Sequence, residues 1–129
     1  MASETILIVD DDPDITFTFK KGLEAENEKN NKTFFKVYTH NNPLSALSEF
    51  KPDFYDLILI DINMPKMNGK EFLKRVKEHP AYTNIPVVVY STSNHKSELG
   101  DFFRLGASNF ITKPSEFKVL ITYLKSILL

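Results

Sequence analysis

The chain has 129 residues, 42% of them hydrophobic and 26% charged, which suits one domain with a core of its own. Its formal net charge of −1 gives no support for direct nucleic-acid binding or for attachment to a membrane surface through bulk charge. The absence of cysteine excludes disulfides, thiol catalysis and thiolate metal sites. No signal-like segment opens the chain and its apolar runs are too short to span a bilayer, so we expect a cytoplasmic protein without membrane insertion.

Short apolar runs alternate along the chain with segments of helical period, a pattern that predicts a parallel sheet covered by helices. The first run, residues 6–9, is uninterrupted, as expected for a strand buried on both faces. The segment after it repeats apolar residues every four positions, at Ile15, Phe19 and Leu23, which predicts an amphipathic helix. Residues 33–39 are rich in β-branched and aromatic side chains but broken by a lysine, which indicates a strand nearer the sheet edge.

A second helix is predicted to begin at Asn42 and Pro43, because asparagine is a good N-cap and proline suits the first helical position. The residues predicted to form its buried stripe are Leu44, Leu47 and Phe50. Residues 57–60 are again purely apolar and predict a third strand that is buried on both faces.

The second half of the chain repeats this rhythm. A third helix must end before Pro80, and its predicted buried residues are Phe72, Leu73 and Val76. Residues 87–90 predict a fourth strand. A short helix around residues 99–103 should stop at Gly106, which is followed by a more polar fifth strand over residues 107–112.

A final helix over residues 115–128 completes five strands and five helices in strict alternation. The three purely apolar strands belong in the middle of the sheet, and right-handed crossovers leave few topologies. We therefore predict an α/β fold of the flavodoxin-like type, a (βα)5 three-layer sandwich whose parallel five-stranded sheet has the order 2-1-3-4-5. No linker divides the sequence, so we expect residues 1–129 to form a single domain with no second domain attached.

Polar residues follow the strands predicted to lie near the switch in strand order. Asp10, Asp11 and Asp12 follow the first strand, Asp61 and Asn63 the third, residues 91–93 (Ser-Thr-Ser) the fourth, and Lys113 and Pro114 the fifth. In open α/β sheets, ligands bind at the carboxyl ends of the strands, so these groups should share one edge. Taken singly, each has an ordinary structural use: Asp12, for example, precedes Pro13 and is expected to cap the first helix.

The combination of side chains at this edge points to phosphoryl transfer. Carboxylates held close together repel one another unless a cation lies between them, and oxygen ligands suit Mg²⁺. A lysine supplies positive charge for a second anion, and a hydroxyl supplies one directional hydrogen bond. Positioning and charge neutralisation provide most of the catalysis in phosphoryl transfer, and one carboxylate can be the nucleophile.

Four segments of the sequence resemble the receiver domains of two-component signalling, at fitting spacings and over nearly the whole chain. They are Ile-Leu-Ile-Val-Asp-Asp-Asp at 6–12, Asp-Ile-Asn-Met-Pro-Lys-Met-Asn-Gly at 61–69, Val-Val-Val-Tyr-Ser-Thr-Ser at 87–93 and Gly-Ala-Ser-Asn-Phe-Ile-Thr-Lys-Pro at 106–114. Any one of these segments is weak evidence, but four in order are specific. The resemblance implies a stand-alone, chemotaxis-receiver-like response regulator with no output domain, a signalling protein that catalyses only its own phosphorylation and dephosphorylation.

The resemblance assigns the phosphoryl acceptor and the metal ligands. Asp61 would accept the phosphoryl group from a phosphohistidine on a sensor histidine kinase, giving an aspartyl phosphate. Asp10 and Asp11 would form the acidic pair that binds Mg²⁺, with Asp11 as the direct ligand. Asn63 would coordinate the metal through its backbone carbonyl, so its side chain is less constrained.

The resemblance also assigns the residues that respond to the phosphoryl group. Ser91 would move to donate a hydrogen bond to it, and Lys113 would form an ion pair with it. The Lys113–Pro114 peptide would be cis, a form expected only before proline. Phe110 holds the position of the switch aromatic and lacks the hydroxyl of the more frequent tyrosine. The fourth helix, fifth strand and fifth helix, residues 95–129, would be the output surface.

Several alternatives stay open at this stage. Asp10 also fits the Asp-x-Asp of haloacid-dehalogenase-type phosphohydrolases, but the Gly-Thr that normally follows and a cap domain are absent. A second alternative is a scaffold that binds a partner without accepting a phosphoryl group. Among receivers, the sequence does not separate a regulator of a downstream protein target from a phosphorelay carrier that serves a histidine phosphotransfer protein. It also does not decide whether phosphorylation drives dimerisation.

Overall fold

Strands and helices alternate strictly along the chain, as the sequence predicts. The computed structural model describes residues 4–29, 35–48, 54–61, 69–80, 85–91, 99–112 and 122. The elements are β1 (Glu4–Val9), α1 (Pro13–Lys29), β2 (Phe35–His40), α2 (Pro43–Ser48), β3 (Leu57–Asp61), α3 (Gly69–Glu78), β4 (Val87–Ser91), α4 (Leu99–Arg104) and β5 (Asn109–Thr112). The predicted helix over residues 115–128 lies outside the described residues except for Thr122, which is helical.

All neighbouring strands pair in parallel, and their order is β2-β1-β3-β4-β5. This confirms the predicted flavodoxin-like α/β fold and the position of the three apolar strands in the middle of the sheet. Their apolar residues are buried without exception, from Ile6 to Val9, from Leu57 to Ile60 and from Val87 to Tyr90. A strand in the middle of a parallel sheet has helices over both faces, which is why no polar residue interrupts these runs.

The core consists of two clusters, one on each face of the sheet. Successive strand residues point to opposite faces, so Ile6 and Ile8 join the cluster under α1 while Leu7 and Val9 join the other. The α1 cluster contains Phe19 and Leu23, as predicted. The second cluster contains the predicted stripe of α3, namely Phe72, Leu73 and Val76, and Phe102 of α4. In the described parts of the chain, no helix is long and apolar enough to cross a membrane.

Capping side chains begin the first two helices, as predicted. Asp12 Oδ1 accepts a hydrogen bond of 2.9 Å from the backbone N–H of Asp14, and Pro13 occupies the first helical position of α1. Asn42 Oδ1 accepts a bond of 2.9 Å from the N–H of Leu44, at the corresponding place before α2. Each cap satisfies a backbone N–H that has no partner inside its helix.

The predicted buried stripe of α2 is wrong at Leu44. This side chain is 48% exposed, and the buried residues of the helix are Pro43 and Ala46. Leu47 packs partly against the core, and Phe50 lies outside the described residues. The six-residue helix faces the sheet with positions 43, 46 and 47, spaced three and four apart, so Leu44 falls outside the buried face.

Gly106 ends α4, as predicted, in a left-handed backbone conformation with a φ of 108°. The N–H of Ala107 donates to the carbonyl of Phe102 at 3.0 Å, and the N–H of Gly106 donates to the carbonyl of Phe103 at 3.1 Å. This pair of bonds is the Schellman arrangement, which satisfies carbonyls that the helix itself leaves unpaired. A Cβ atom at Gly106 would lie 3.2 Å from the Lys77 side chain.

We predict that Gly106→Ala destabilises the protein by about 1–2 kcal/mol, because an L-residue is strained at this φ. Gly100→Ala is the matched control, since Gly100 lies inside α4 and a Cβ there makes only an ordinary contact with Arg104. That change should stabilise the protein by about 0.5–1 kcal/mol. Urea unfolding in the presence of a chelator measures both, and a shift of the same sign in the two variants would contradict the assignment.

Candidate functional site

Strand register brings the predicted acidic residues to one edge of the sheet. Val9 of β1 pairs with Ile60 of β3, so the residues that follow them, Asp10 and Asp61, come next to each other. Tyr90 of β4 pairs with Asp61 from the other side. Neighbouring strands are about 5 Å apart, which is close enough for carboxylates from β1 and β3 to act on one ligand.

The structure confirms the predicted proximity of Asp10, Asp11 and Asp61. One carboxylate oxygen from each lies within 4.8 Å of the others. Asp10 has no exposed surface and Asp61 only 4%, whereas Asp11 is exposed and opens the group to solvent. These are the three acidic residues that the sequence assigns to the metal, and they form the only such group found among the described residues.

Every polar atom of Asp10 takes part in a hydrogen bond. Its backbone N–H donates to the carbonyl of His40 at 3.1 Å, and its own carbonyl accepts from Asn41 Nδ2 at 2.8 Å. Its Oδ1 accepts from the N–H of Asp12 at 2.9 Å, and its Oδ2 accepts from the Tyr90 hydroxyl at 2.9 Å. A buried carboxylate needs such donors, because water is not there to solvate it.

Tyr90 belongs to the site, although the sequence pattern assigns it only to the fourth strand and to no role at the site. Its ring is buried against Phe19 of α1, edge to face, with the centroids 5.1 Å apart. Burial, and next the negative charge of Asp10, raise the pKa of the Tyr90 hydroxyl well above its ordinary value, so the hydroxyl stays protonated at neutral pH and donates. The signal in the sequence is the one hydroxyl-bearing side chain in the apolar run 87–90.

Asn41 and Thr16 also support the site and are not singled out by the sequence. Asn41 Nδ2 donates to Thr16 Oγ1 at 3.0 Å as well as to the Asp10 carbonyl. The buried Thr16 hydroxyl in turn donates to the carbonyl of Pro13 at 3.1 Å. This chain of bonds ties the end of β1 to the first turn of α1. An asparagine directly after β2, before the N-cap Asn42, is the available sequence signal.

Desolvation and the neighbouring Asp10 carboxylate both affect the pKa of Asp11. Desolvation raises its pKa above the ordinary value of 3.8, and the hydrogen bond and negative charge of Asp10 raise it further. The charged form of Asp11 is therefore disfavoured when no cation is nearby.

The donor set fits a hard divalent cation. Three carboxylates, two of them buried, offer oxygen atoms to a common point, and Mg²⁺ prefers carboxylate oxygens together with water. Asp11 faces solvent, where a partly hydrated ion would enter. Asp10, Asp11 and Asp61 are therefore the described residues that would hold Mg²⁺, which would supply positive charge to the acidic cluster and to an incoming phosphoryl group.

The other predicted site residues are described in part or not at all. Ser91 ends β4 and pairs with Thr112, and Phe110 pairs with Val89, but only the backbone of Ser91 and Phe110 is described. The predictions for Asn63, Lys113 and the cis peptide to Pro114 fall outside the described residues.

We predict that Asp11→Asn makes the metal-free protein more stable at neutral pH. The folded-state pKa of Asp11 is raised, so its charged form costs stability above that pKa, and the cost disappears as the pH falls toward 3.8. Because Asp11 is exposed, the gain should stay below about 1 kcal/mol. Thermal unfolding with chelator between neutral and acidic pH measures it.

Added Mg²⁺ should reverse the ranking of the two proteins, because the ion stabilises wild type by binding to the folded state and Asp11→Asn lacks one of its ligands. Equal stabilisation of both proteins by Mg²⁺ would show that Asp11 is not a ligand.

Comparisons with known proteins agree with this geometry. Residues 6–125 match the response regulator receiver domain family. A transcriptional regulatory protein CpxR homolog from Haemophilus influenzae is 34% identical over 95% of this chain, which spans 49% of that protein. The solved chemotaxis protein CheY4 of Vibrio cholerae has a TM-score of 0.86 at 26% identity, with 98% of this chain and 100% of that chain covered.

A second solved structure, titled as the phosphorylated cyanobacterial phytochrome response regulator RcpA, has a TM-score of 0.76 at 28% identity. The alignment covers 98% of this chain and 91% of that one. The chain spans about half the length of the CpxR homolog and of the heme response regulator HssR from Staphylococcus saprophyticus. With the family match over most of its length and the acidic cluster at the predicted place, this chain belongs to the response regulator receiver domain family.

Proposed function

We propose that Asp61 accepts a phosphoryl group with the help of Mg²⁺, and that the resulting aspartyl phosphate switches a protein-interaction surface of this receiver domain. The observation that carries the proposal is the convergence of the Asp10, Asp11 and Asp61 carboxylates within 4.8 Å. Asp61 lies at the end of the central strand β3, between β1 and β4, so both neighbouring strands can contribute groups to the phosphoryl oxygens.

Hydrogen bonding makes Asp10 a poor candidate for the nucleophile. Both Asp10 carboxylate oxygens accept bonds, from the Asp12 N–H and the Tyr90 hydroxyl, and the residue has no exposed surface. A carboxylate held in this way is suited to a fixed position beside a cation and poorly suited to attack. The alternative phosphohydrolase assignment, which needs Asp10 to attack phosphorus, therefore loses support.

The proposed step is an in-line displacement. An Asp61 oxygen forms a bond to phosphorus, the phosphorus–nitrogen bond of the donor phosphohistidine breaks, and the imidazole leaves with that electron pair and takes up a proton. When bound, Mg²⁺ supplies positive charge to the phosphoryl oxygens. Asp11 would ligate the metal directly, Asp10 would support it, and Asn63 would add its backbone carbonyl.

Ser91, Lys113 and Phe110 complete the proposal as the switch. The pairing of Ser91 with Thr112 supports it, because Lys113 follows Thr112 in the sequence and would reach the same edge of the sheet. The Ser91 hydroxyl would donate a hydrogen bond to the phosphoryl group, and the Lys113 ammonium would form an ion pair with it. The Lys113–Pro114 peptide would be cis, and Phe110 would swing inward as Ser91 moves. The output surface would then be the region from α4 onward.

The partners follow from this chemistry. A sensor histidine kinase in the cytoplasm would supply the phosphoryl group, and a downstream protein target would read the changed surface. Residues 1–129 would act as one receiver domain. A phosphorelay role, with a histidine phosphotransfer protein as partner, uses the same acceptor and is the alternative. The switched surface could also bind a second copy of the chain, giving a phosphorylation-dependent dimer.

The test is the intact mass of the protein after incubation with Mg²⁺ and acetyl phosphate. Wild type should gain one phosphoryl group, and Asp61→Asn should gain none, because it has lost the acceptor oxygen. Chelator should abolish the adduct on wild type. Asp56→Asn is the matched control, since Asp56 lies just before the opposite end of β3, where its carboxylate accepts the Thr5 N–H, and should behave as wild type.

An adduct that persists in Asp61→Asn would place the acceptor elsewhere, with Asp10→Asn as the next variant to examine. A wild type that stays unmodified with acetyl phosphate and with a purified sensor kinase would favour the scaffold alternative over the receiver chemistry.

A further inference from the structure

We propose that Tyr90 is a positioning residue of the metal site: its hydroxyl fixes the Asp10 carboxylate in the orientation in which it supports Mg²⁺ beside Asp11, and thereby raises the affinity for the ion. The inference rests on the function proposed above and assigns to it a residue in the strand before Ser91. It concerns the 2.9 Å bond from the Tyr90 hydroxyl to Asp10 Oδ2, which joins residues 80 positions apart in the chain.

The bond spans the full width of β3. Asp10 follows β1 and Tyr90 belongs to β4, and β3 lies between them, so the two backbones are about 10 Å apart. Of the side chains in β4, the tyrosine is the one that crosses this distance with a hydrogen-bond donor at its tip. Phenylalanine would fill the same space against Phe19, so packing alone does not account for the hydroxyl.

The hydroxyl determines the rotation of the Asp10 carboxylate. Two donors hold it, the Asp12 N–H on Oδ1 and the Tyr90 hydroxyl on Oδ2, and together they fix the plane of the group. With one donor removed, the carboxylate can turn about its Cβ–Cγ bond, and no solvent replaces the lost bond because Asp10 has no exposed surface.

Two effects of the hydroxyl on Mg²⁺ oppose each other. The hydroxyl withdraws some negative charge from Asp10, which weakens attraction to the ion. It also orients the carboxylate before the ion arrives, so no reorganisation is needed on binding. Orientation is the larger effect, because the donor is neutral, and loss of a group that hydrogen-bonds a metal-binding carboxylate typically weakens metal affinity by about 10–100-fold.

The test compares Mg²⁺ binding by Tyr90→Phe, wild type and Tyr55→Phe, using isothermal titration calorimetry on the full chain. Tyr90→Phe keeps the ring and should bind Mg²⁺ about tenfold more weakly than wild type. Tyr55→Phe is the matched control, because Tyr55 is also buried but lies just before the start of β3, away from the site, and should leave the Kd unchanged. Circular dichroism checks that all three proteins are folded.

A second measurement separates positioning from a general structural role. If Tyr90 acts through Asp10, Tyr90→Phe should have no further effect on Mg²⁺ affinity in an Asp10→Asn background. With acetyl phosphate as donor, the Mg²⁺ concentration at half-maximal rate should rise by about the same tenfold in Tyr90→Phe. The rate deficit should disappear as Mg²⁺ saturates the site.

An unchanged or tighter Kd for Tyr90→Phe would overturn the proposal, as would the same loss in the Asp10→Asn background. Failure of the phosphoryl-acceptor function is distinguishable: wild type would then bind Mg²⁺ without gaining a phosphoryl group on Asp61, and calorimetry would still decide the role of Tyr90. A wild type that binds no Mg²⁺ would overturn both.

Discussion

Asp10 is a carboxylate with no exposed surface at the end of an apolar strand, and a buried carboxylate without hydrogen-bond donors is destabilising. Its carboxylate accepts from the Asp12 N–H in the loop before α1 and from the Tyr90 hydroxyl in β4, and Asn41, directly after β2, donates to its backbone carbonyl. The arrangement of this edge therefore depends on keeping one buried carboxylate hydrogen-bonded.

The same constraint explains why the edge suits a cation. Asp61 adds a second buried carboxylate beside Asp10, and Asp11 adds a third that faces solvent. Desolvation, and next the neighbouring Asp10 carboxylate, raise the pKa of Asp11 and so disfavour its charged form when no cation is near. Clusters of like charge that lower the free energy of unfolding are typical of functional sites, and a cation that binds there increases the stability of the folded state.

Hydrogen bonds and one aromatic contact connect the acidic site to α1. Asp12 donates its N–H to Asp10 while its own side chain caps the helix, and Asn41 connects the Asp10 carbonyl to Thr16 in the first turn. Tyr90 adds a second connection, since its hydroxyl reaches Asp10 and its ring packs against Phe19 of α1. A change in the orientation of Asp10 is therefore coupled to the packing of α1 as well as to β4, the strand that ends in the proposed switch residue.

Local and periodic signals in the sequence determine the strands, the caps at Asp12 and Asn42 and the helix stop at Gly106, because each depends on residues within a few positions of one another. The strand order followed from the three uniformly apolar strands and from the handedness of parallel crossovers. The acidic group was also predictable, since parallel strands bring their carboxyl ends to a common edge. Only the tertiary structure decided which face of the short α2 is buried, and so the exposure of Leu44. It alone also joined Tyr90 to Asp10 across β3 and Asn41 to the Asp10 carbonyl, because these contacts depend on three-dimensional distances between residues 80 and 31 positions apart, to which no local period in the sequence corresponds.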